Sequence, residues 1–386
     1  MGNTTTKGDK AKSSFPPLKA RERGFRLDPE TFELPVEKMR EGYYSDKYFN
    51  RAKEILEKDN YHPVVLMQVF QKHNSLLCGI DEAIAILKFC SGYYDKSGKW
   101  IDGWDKLEVK ALYDGDLIKP FDVVMTIAGD YSLFAHLETD YLGVLARRTK
   151  IATNTKAVVN AANGKPILFF PARFDHHLMQ TGDGYAAYIT GTLGVSTDAQ
   201  AQWWGSKGLG TIPHSLIAAY NGDTVKATEK FAEYMDPEVS VIALVDFQND
   251  SVTTSLKCAQ ALGKKLWGVR LDTSATMVDK SLWEDMSVFP PTGVNPKLVR
   301  KVRKALDEAG YNWVKIVVSG GFNPDKIKLF EKLNIPADVY AVGSWLLKGS
   351  YDFTADVVMI KEDDKWKSCA KVGRKYNPNP DLVIVE

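Results

Sequence analysis

The sequence lacks the features that mark membrane, secreted and zinc-binding proteins. It contains no apolar run of the roughly 20 residues needed to span a bilayer, and its first two dozen residues include no stretch resembling a signal peptide. The four cysteines are far apart and form no Cys-x-x-Cys pair or Cys/His cluster, so a zinc site has little support. These absences favour a reduced, cytoplasmic protein without a membrane partner.

An excess of charge of one sign is also lacking. Lysine and arginine total 50 against 49 acidic residues, which leaves a formal net charge of +1. Such a chain has no global field for gathering nucleic acid or anionic lipid, so any anion site must be local. What is present is a globular composition, 44% hydrophobic and 26% charged, over 386 residues. That length suits a barrel of about 250 residues plus a smaller domain.

The front of the chain predicts a tail and then a small α+β domain. Residues 1–25 are rich in Lys, Ser, Thr and Pro with little to bury, which is typical of a mobile tail. Residues 26–131 mix helical and extended patterns. The elements expected there are a helix capped by Ser45 or Asp46, a strand over 64–70, a helix over 81–90, a hairpin signal at Asp114-Gly115 and a strand over 123–127.

Residues 132–349 predict an irregular parallel α/β barrel. Short, near-continuous apolar runs alternate there with long helical patterns, which is typical of a parallel sheet covered by helices. A barrel is preferred over an open doubly wound sheet, although periodicity alone does not decide between them. The expected strands cover residues 167–170, 239–245, 266–271, 314–318 and 337–342, with helices over 296–309 and 324–333. Residues 350–386 should form a closing hairpin that turns at Glu362-Asp363-Asp364 and returns to the front domain.

Polar and small residues follow the expected barrel strands. Arg173, Asp246 and Asp272 come after three of them, and the turns Ser319-Gly320-Gly321 and Gly343-Ser344 come after the last two. In a parallel barrel all these positions lie at the carboxyl ends of strands, on the face where active sites are built. Each residue alone could simply cap a helix. Together they predict two carboxylates, an arginine and two small-residue turns around one cavity.

The two glycine-containing turns indicate a phosphate site. Without a bulky side chain, backbone N–H groups can close on phosphate oxygens, helped by the positive end of a following helix. Both turns follow late strands, which is the usual phosphate position in barrels. A phosphorylated substrate is therefore expected. The alternative is that the glycines only make tight turns.

His214 stands in a constrained glycine-proline loop over residues 208–215. A histidine there can be a nucleophile, a base or a phosphate carrier, or it can be an ordinary surface or capping residue. The pair His176-His177 has the same ambiguity. It lacks a partner at metal-ligand spacing, so no residue is assigned to a protein-bound metal.

A series of short motifs runs in one order along residues 41–349. The motifs are Ser45-Asp46-Lys47-Tyr48-Phe49, His136-Leu137-Glu138-Thr139, Phe170-Pro171-Ala172-Arg173, Gly210-Thr211-Ile212-Pro213-His214-Ser215, Val269-Arg270-Leu271-Asp272, Ser319-Gly320-Gly321 and Val342-Gly343-Ser344. As a set they resemble the nicotinate phosphoribosyltransferase family, with the nicotinamide and quinolinate enzymes as more distant relatives. The resemblance implies a front domain packed on an irregular barrel, in a head-to-tail homodimer with shared active sites.

The same resemblance implies residues that hold the pyridine base. Tyr48 would reach into the partner's site and stack on the ring, opposite Phe170. Arg173 would hold the ring's carboxylate, and Thr192 would lie beside the base. A flat, electron-poor ring between two aromatic faces and a forked arginine donor on its carboxylate make chemical sense.

Roles in phosphoribosyl transfer are also implied by the resemblance. Arg270 and Asp272 would bind phosphate or ribose, Asp246 would contact the ribose hydroxyls, and the turns at 319–321 and 343–344 would hold the 5′-phosphate. Asp246 and Asp272 would stabilise the cation-like ribose, while Mg²⁺ neutralises the leaving pyrophosphate. His214 matches the histidine that ATP phosphorylates. The isolated Cys369 gives no zinc knuckle of the kind that some relatives carry.

The implied activity is ATP-coupled transfer of phosphoribose from phosphoribosyl pyrophosphate to nicotinate, in NAD salvage. Leu193 stands where the nicotinamide enzyme carries an aspartate, which favours an acid as substrate. The surroundings of Arg173, with Pro171, Ala172, Phe174 and Asp175, depart from the family pattern, as do residues 247–249 after Asp246. Three alternatives remain. The substrate could be another pyridine base, the chain could be a nucleotide-binding barrel without turnover, or it could be an aldolase or isomerase that uses a lysine such as Lys156.

Overall fold

The computed structural model describes residues 24–289 and 291–386. Residues 1–23, which hold almost all of the expected tail, lie outside the described residues. The described part builds two six-stranded sheets, one antiparallel and one parallel, and two small two-stranded sheets.

The strands and helices alternate along the chain after an early stretch dominated by strands. In the described part, the strands are β1 (Val64–Gln71), β2 (Ser75–Leu76), β3 (Gly92–Tyr94), β4 (Trp100–Asp102), β5 (Glu108–Ala111), β6 (Leu117–Ile118), β7 (Val123–Asp130), β8 (Ile167–Phe169), β9 (Gly194–Val195), β10 (Val241–Leu244), β11 (Leu266–Leu271), β12 (Lys315–Val318), β13 (Val339–Val342), β14 (Phe353–Glu362), β15 (Lys365–Ser368) and β16 (Val383–Ile384). The α-helices are α1 (Val36–Arg40), α2 (Lys47–Lys58), α3 (Ile80–Cys90), α4 (Glu138–Ala161), α5 (Gln180–Tyr188), α6 (Asp198–Ala201), α7 (His214–Ala219), α8 (Thr224–Tyr234), α9 (Ser251–Leu262), α10 (Pro296–Glu308) and α11 (Pro324–Lys332).

The front domain is built on the antiparallel sheet, in the order β15-β14-β1-β7-β5-β16. Alternate residues of β1, namely Val65, Met67 and Val69, are buried together with the almost wholly buried helix α3. The closing hairpin returns to this sheet as expected, because β14 pairs with β1. Its turn residues Asp363 and Asp364 have φ values of 46° and 60°, which is the left-handed geometry of a tight hairpin turn.

The stretches flanking Asp114-Gly115 also pair as a hairpin signal predicts, since β5 and β7 are antiparallel neighbours. The connection between them is longer than a two-residue loop. Within it, β6 leaves the hairpin and pairs with β2 instead. The sequence pattern predicts the turn at Asp114-Gly115, but it does not predict the pairing of β6 with β2.

The second sheet is parallel and curled into a half-barrel, in the order β10-β11-β12-β13-β8-β9. Leu168 of β8, Ile242 of β10, Val317 of β12 and Ala341 of β13 form one buried cluster. This cluster extends across the strands from β8 to β10 and lies on the concave face of the curled sheet. The opposite, convex face packs against the helices in the largest core.

The fold is therefore α/β with a smaller domain, as the sequence predicts, and its parallel sheet is a six-stranded half-barrel within the described residues. Beyond β9 the neighbouring position is occupied by irregular chain, where the Leu209 N–H donates to the Val195 carbonyl at 2.7 Å. Helix α4 joins the two domains. Its first half contributes Tyr141 and Leu145 to the front core, and its second half contributes Ile151 and Val158 to the half-barrel core.

Candidate active site

The alternation of the parallel strands brings the expected site residues to one concave rim. On β11, Val269 and Leu271 face the helices, so Arg270 and the following Asp272 face the opposite side. Both positions lie at the carboxyl end of the strand. The last residue on the helix side of four other strands is likewise followed by a residue that faces the rim. These residues are Phe170 after β8, Asp246 after β10, Ser319 after β12 and Gly343 after β13.

Asp272 lies at the centre of a contact network on this rim. Its Oδ2 accepts a hydrogen bond from Arg270 Nη2 at 3.1 Å, and its Oδ1 accepts one from Ser319 Oγ at 2.7 Å. Arg270 also donates to Thr211 Oγ1. Three separate stretches of chain thus contact one another directly. Because Asp272 balances the charge of Arg270, this network brings little net charge to the rim.

His214 and Asp246 form a second contact there. His214 begins α7, and its Nε2 lies 3.2 Å from Asp246 Oδ2. The Asp246 side chain is only 7% exposed, whereas that of His214 is 44% exposed. Burial raises the pKa of Asp246; His214 opposes this shift, and the neighbouring Asp272 adds to it. Asp246 Oδ1 is buried with no hydrogen-bond partner among the described residues, which leaves it free for a ligand hydroxyl or a cation.

The turn after β12 contains two adjacent glycines and has open space on one side. Gly320 and Gly321 are both left-handed, with φ values of 83° and 70°, a pair of conformations that glycine adopts without strain. A Cβ on Gly320 would lie 3.3 Å from the Thr273 carbonyl oxygen, whereas nothing lies within 4 Å of a Cβ on Gly321. The loop is therefore open on one side, and α11 begins at Pro324, after Phe322 and the capping residue Asn323. Its backbone N–H groups can close on an anion.

The turn after β13 supports the loop that carries Arg173. Phe170 N–H donates to the Val342 carbonyl at 2.8 Å, and a Cβ on Gly343 would meet the Phe174 ring at 2.8 Å. Arg173 is exposed, and its guanidinium carbon lies 5.2 Å from the centre of the Phe174 ring. Gly343 thus leaves the space in which Phe174 packs beneath Arg173.

The structure also gives the positions of the other residues named from the sequence. Tyr48 is 62% exposed on α2 of the front domain, where its hydroxyl donates to Asp46 Oδ2 at 3.4 Å. Thr192 is fully buried, and its hydroxyl donates to the Ala187 carbonyl. Leu193 packs against the cluster inside the half-barrel. Ser344 is exposed at the start of a 3₁₀ helix next to the rim.

The sequence did not single out two residues whose side chains contact the rim. Thr211 was noted only as part of a motif, and its contact with Arg270 depends on how the irregular chain after β9 folds. Lys326 lies on α11, and its Nζ donates to the Gly320 carbonyl at 3.2 Å. The Asn-Pro helix start after the glycine turn could have indicated Lys326, because side chains of a first helical turn lean back over the preceding residues.

A cavity of about 820 Å³ lies at the opposite end of the half-barrel. It is lined by the first residues of several parallel strands, including Val241, Leu266 and Val339, and by Trp267 and Trp313. Its position does not coincide with the charged rim. We place the chemistry at the rim because the carboxylates, the histidine and the glycine loop meet there.

Within residues 24–289 and 291–386, every helix is too short or too polar to span a bilayer. No group of three or more His, Cys, Asp or Glu side chains in them is arranged to hold a metal ion.

The fold and the rim define the class to which the chain belongs, an α/β half-barrel with an antiparallel front domain and a glycine turn at the carboxyl-terminal rim. Residues 46–149 match the family model described as quinolinate phosphoribosyl transferase, N-terminal domain. The crystal structure of nicotinate-nucleotide pyrophosphorylase from Pyrococcus furiosus is 33% identical and superposes with a TM-score of 0.74, covering 90% of this chain and 84% of that one. The human nicotinic acid phosphoribosyltransferase structure shares the fold, with a TM-score of 0.58 at 15% identity, over 82% of this chain and 74% of that one.

A nicotinate phosphoribosyltransferase of Mycobacterium tuberculosis is 27% identical over 258 residues, which is 65% of this chain and 52% of that protein. The chain belongs to the nicotinate phosphoribosyltransferase family. It spans about half the length of the curated relatives it matches.

Proposed function

We propose that this chain transfers the phosphoribosyl group of phosphoribosyl pyrophosphate to the ring nitrogen of nicotinate, forming nicotinate mononucleotide in NAD salvage. The observation that carries the proposal is the contact set around Asp272, with Arg270 and Ser319, beside the His214–Asp246 pair. The names of the curated relatives support nicotinate as the base.

The rim residues suit the bond changes of this reaction. The bond from the anomeric carbon to pyrophosphate breaks and its electron pair leaves with pyrophosphate, while the ring nitrogen's lone pair forms the new bond. The carboxylates of Asp246 and Asp272 would stabilise the cation-like ribose between these events. The unpartnered Asp246 Oδ1 and the Asp272 carboxylate are hard oxygen donors that fit Mg²⁺. Bound with the substrate, Mg²⁺ would neutralise charge on the pyrophosphate.

The base would be held at the Arg173 loop. Arg173 is exposed beside Phe174 and follows Phe170, so its guanidinium is available to pair with the nicotinate carboxylate. Phe170 would offer one ring face. We propose that Tyr48 of a second copy in a homodimer offers the other, because within one chain Tyr48 is exposed on the front domain.

ATP coupling would use His214. If its Nε2–H donates to Asp246, the other ring nitrogen carries the lone pair needed to attack the γ-phosphorus of ATP. ADP would leave, and water would later release the phosphoryl group as inorganic phosphate. Asp246 would thereby link the histidine to the ribose site.

Release of pyrophosphate tests the proposed reaction. Purified full-length protein with Mg²⁺ and phosphoribosyl pyrophosphate should release pyrophosphate and form nicotinate mononucleotide only when nicotinate is added. Parallel reactions with nicotinamide and with quinolinate serve as matched controls. Activity with either of these and none with nicotinate would refute the assigned base and preserve the reaction class.

Replacing His214 with alanine tests the coupling separately. His214→Ala should abolish the stimulation by ATP and leave some basal transfer. His62→Ala, which removes an exposed histidine from the front domain, is the control and should respond to ATP like the parent. An equal ATP response in His214→Ala and the parent would refute the phosphohistidine.

Quinolinate is the second candidate base. It is favoured by the quinolinate description of the family model over residues 46–149 and by the 33% identity to a nicotinate-nucleotide pyrophosphorylase. Transfer to quinolinate would release carbon dioxide as well as pyrophosphate. Measuring carbon dioxide in the same assay therefore distinguishes the two bases.

A further inference from the structure

Lys326 is a half-buried lysine that turns back over the glycine turn after β12. Its backbone N–H is capped by the Asn323 side chain at 2.9 Å, which fixes the first turn of α11. Its Nζ donates to the Gly320 carbonyl at 3.2 Å and lies 4.3 Å from the centre of the Phe322 ring. Phe322 is itself buried. The ammonium is thus held against the loop instead of extending into solvent.

The charge of Lys326 is not balanced by a carboxylate. No Asp or Glu of the described residues lies within ion-pair distance of its Nζ. Burial lowers the pKa of Lys326 to about 8, and no acidic neighbour opposes that shift. A carbonyl oxygen and an aromatic face compensate only part of the lost hydration of an ammonium. An anion beside the loop would supply the missing partner.

Ser319 and Arg270, which flank this part of the rim, already contact Asp272, although Arg270 Nε and the Thr273 hydroxyl have no hydrogen-bond partner among the described residues. The Ser319 hydroxyl donates to Asp272, and Arg270 is paired with the same carboxylate. The uncompensated positive charge at the loop therefore comes from Lys326. The space above Gly321 is open, so an anion can approach the loop N–H groups there.

We propose that Lys326 is the cationic ligand of the ribose 5′-phosphate, which it contacts together with the backbone of residues 319–321. This inference rests on the proposed function for the identity of the ligand. Its ammonium would donate to a phosphate oxygen on the open side of the loop. Lys326 would accordingly determine affinity for phosphorylated ribose and have no contact with the pyridine base.

Calorimetric titration of the full chain with ribose 5-phosphate tests this contact. Lys326→Met keeps the aliphatic stem, Lys326→Arg keeps the charge, and Lys328→Met removes an exposed lysine from the same helix as a matched control. Loss of a charge-assisted hydrogen bond should weaken ribose 5-phosphate binding by about tenfold or more in Lys326→Met. Lys326→Arg should recover most of the affinity, and Lys328→Met should bind like the parent.

Nicotinate binding and thermal unfolding separate a ligand contact from a structural role. Lys326→Met should bind nicotinate like the parent and melt at the same or a higher temperature, because it removes an unpaired, half-buried charge. Joint loss of both ligands together with a lower melting temperature would overturn the inference. So would unchanged ribose 5-phosphate affinity, or no binding by the parent. Lys326-dependent binding without any mononucleotide formation would refute the proposed function and leave this contact standing.

Discussion

Asp246 combines two properties that usually conflict. It is nearly buried, with one oxygen lacking a partner, yet it is the carboxylate that contacts His214. A buried carboxylate costs stability unless it is fully paired. We infer that the rim keeps Asp246 because a bound ribose or cation completes its contacts.

Asp246→Asn should therefore separate activity from stability. Without the charge that stabilises the cation-like ribose, turnover should fall by at least about 100-fold. Burial raises the pKa of Asp246, so this carboxyl stabilises the fold when protonated and loses that contribution as the pH rises through its folded-state pKa. Asn mimics the neutral form. In acid, Asp246→Asn and the parent should therefore have nearly the same free energy of unfolding. Toward neutral pH, the free energy of unfolding of the variant should increasingly exceed that of the parent.

Steady-state kinetics and urea unfolding at two pH values measure both effects. Asp105→Asn, at an exposed position of the front domain, is the control and should change neither quantity. Parent-like turnover of Asp246→Asn, or a stability difference that does not grow with pH, would contradict this role of Asp246.

At this scale the sequence identifies the residues that follow regular strands and little else. Arg270, Asp272 and Ser319 could be placed on one rim because strand ends share an edge and alternate residues share a face. Thr211 could not, because its contact with Arg270 depends on the path of irregular chain. Lys326 could be placed only through the helix start after the glycine turn, which directs its side chain back over the turn. The assignment of Thr192 to the base stays a prediction; its buried hydroxyl donates to the Ala187 carbonyl.

At the scale of elements, the turn after β13 supports the loop that carries Arg173, because Gly343 has no side chain to displace Phe174. The φ of Gly343 is negative, and the space that an added side chain would need is already filled by neighbouring side chains, so Gly343 has a steric role. The nearest atoms to an added Cβ belong to Phe174 and Phe170. The turn and the Arg173 loop should therefore move together.

Gly343→Ala tests this packing. The added methyl group would lie 2.8 Å from the Phe174 ring, which is half exposed and can swing away, carrying Arg173 with it. We expect the KM for nicotinate to rise by about tenfold, as for a lost charged hydrogen bond, with little change in melting temperature. Gly143→Ala, on an open face of α4, is the control. An unchanged KM for nicotinate in Gly343→Ala would show that the turn does not position Arg173.

Element prediction succeeded where patterns are long and failed where they are short. The run at 266–271 and the helix near 296–309 correspond to β11 and α10, because buried apolar runs and an amphipathic stripe are strong signals. Strands β2, β6, β9 and β16 have two residues each and carry no period. The extent of the barrel could not be derived, because it depends on how the irregular chain near Leu209 continues from β9.

At the scale of the whole molecule, a buried arginine joins the two domains. Arg148 of α4 donates to both carboxylate oxygens of Glu82 on α3, at 2.8 and 3.1 Å, and lies 3.5 Å from Asp183 on α5. Gly182 leaves the space that its guanidinium fills. The front domain and the half-barrel should therefore unfold as one cooperative unit.

Arg148→Met should destabilise the protein by about 3–5 kcal/mol, because it leaves Glu82 buried without its partner. Lys304→Met is the contrasting control, since it breaks an exposed pair with Glu308 and should have little effect. Equilibrium urea unfolding, followed by tryptophan fluorescence and by circular dichroism, measures both variants. Equal stabilities of Arg148→Met and Lys304→Met would contradict a domain-joining role for Arg148.

We propose that one rim of the half-barrel, at the carboxyl ends of its strands, holds the nucleotide. A crystal structure with nicotinate mononucleotide bound tests it most directly. We expect the 5′-phosphate on the loop of residues 319–321 beside Lys326, the ribose near Asp246 and Asp272, and the pyridine carboxylate at Arg173. A nucleotide in the cavity at the opposite end, beside Trp267 and Trp313, would contradict it.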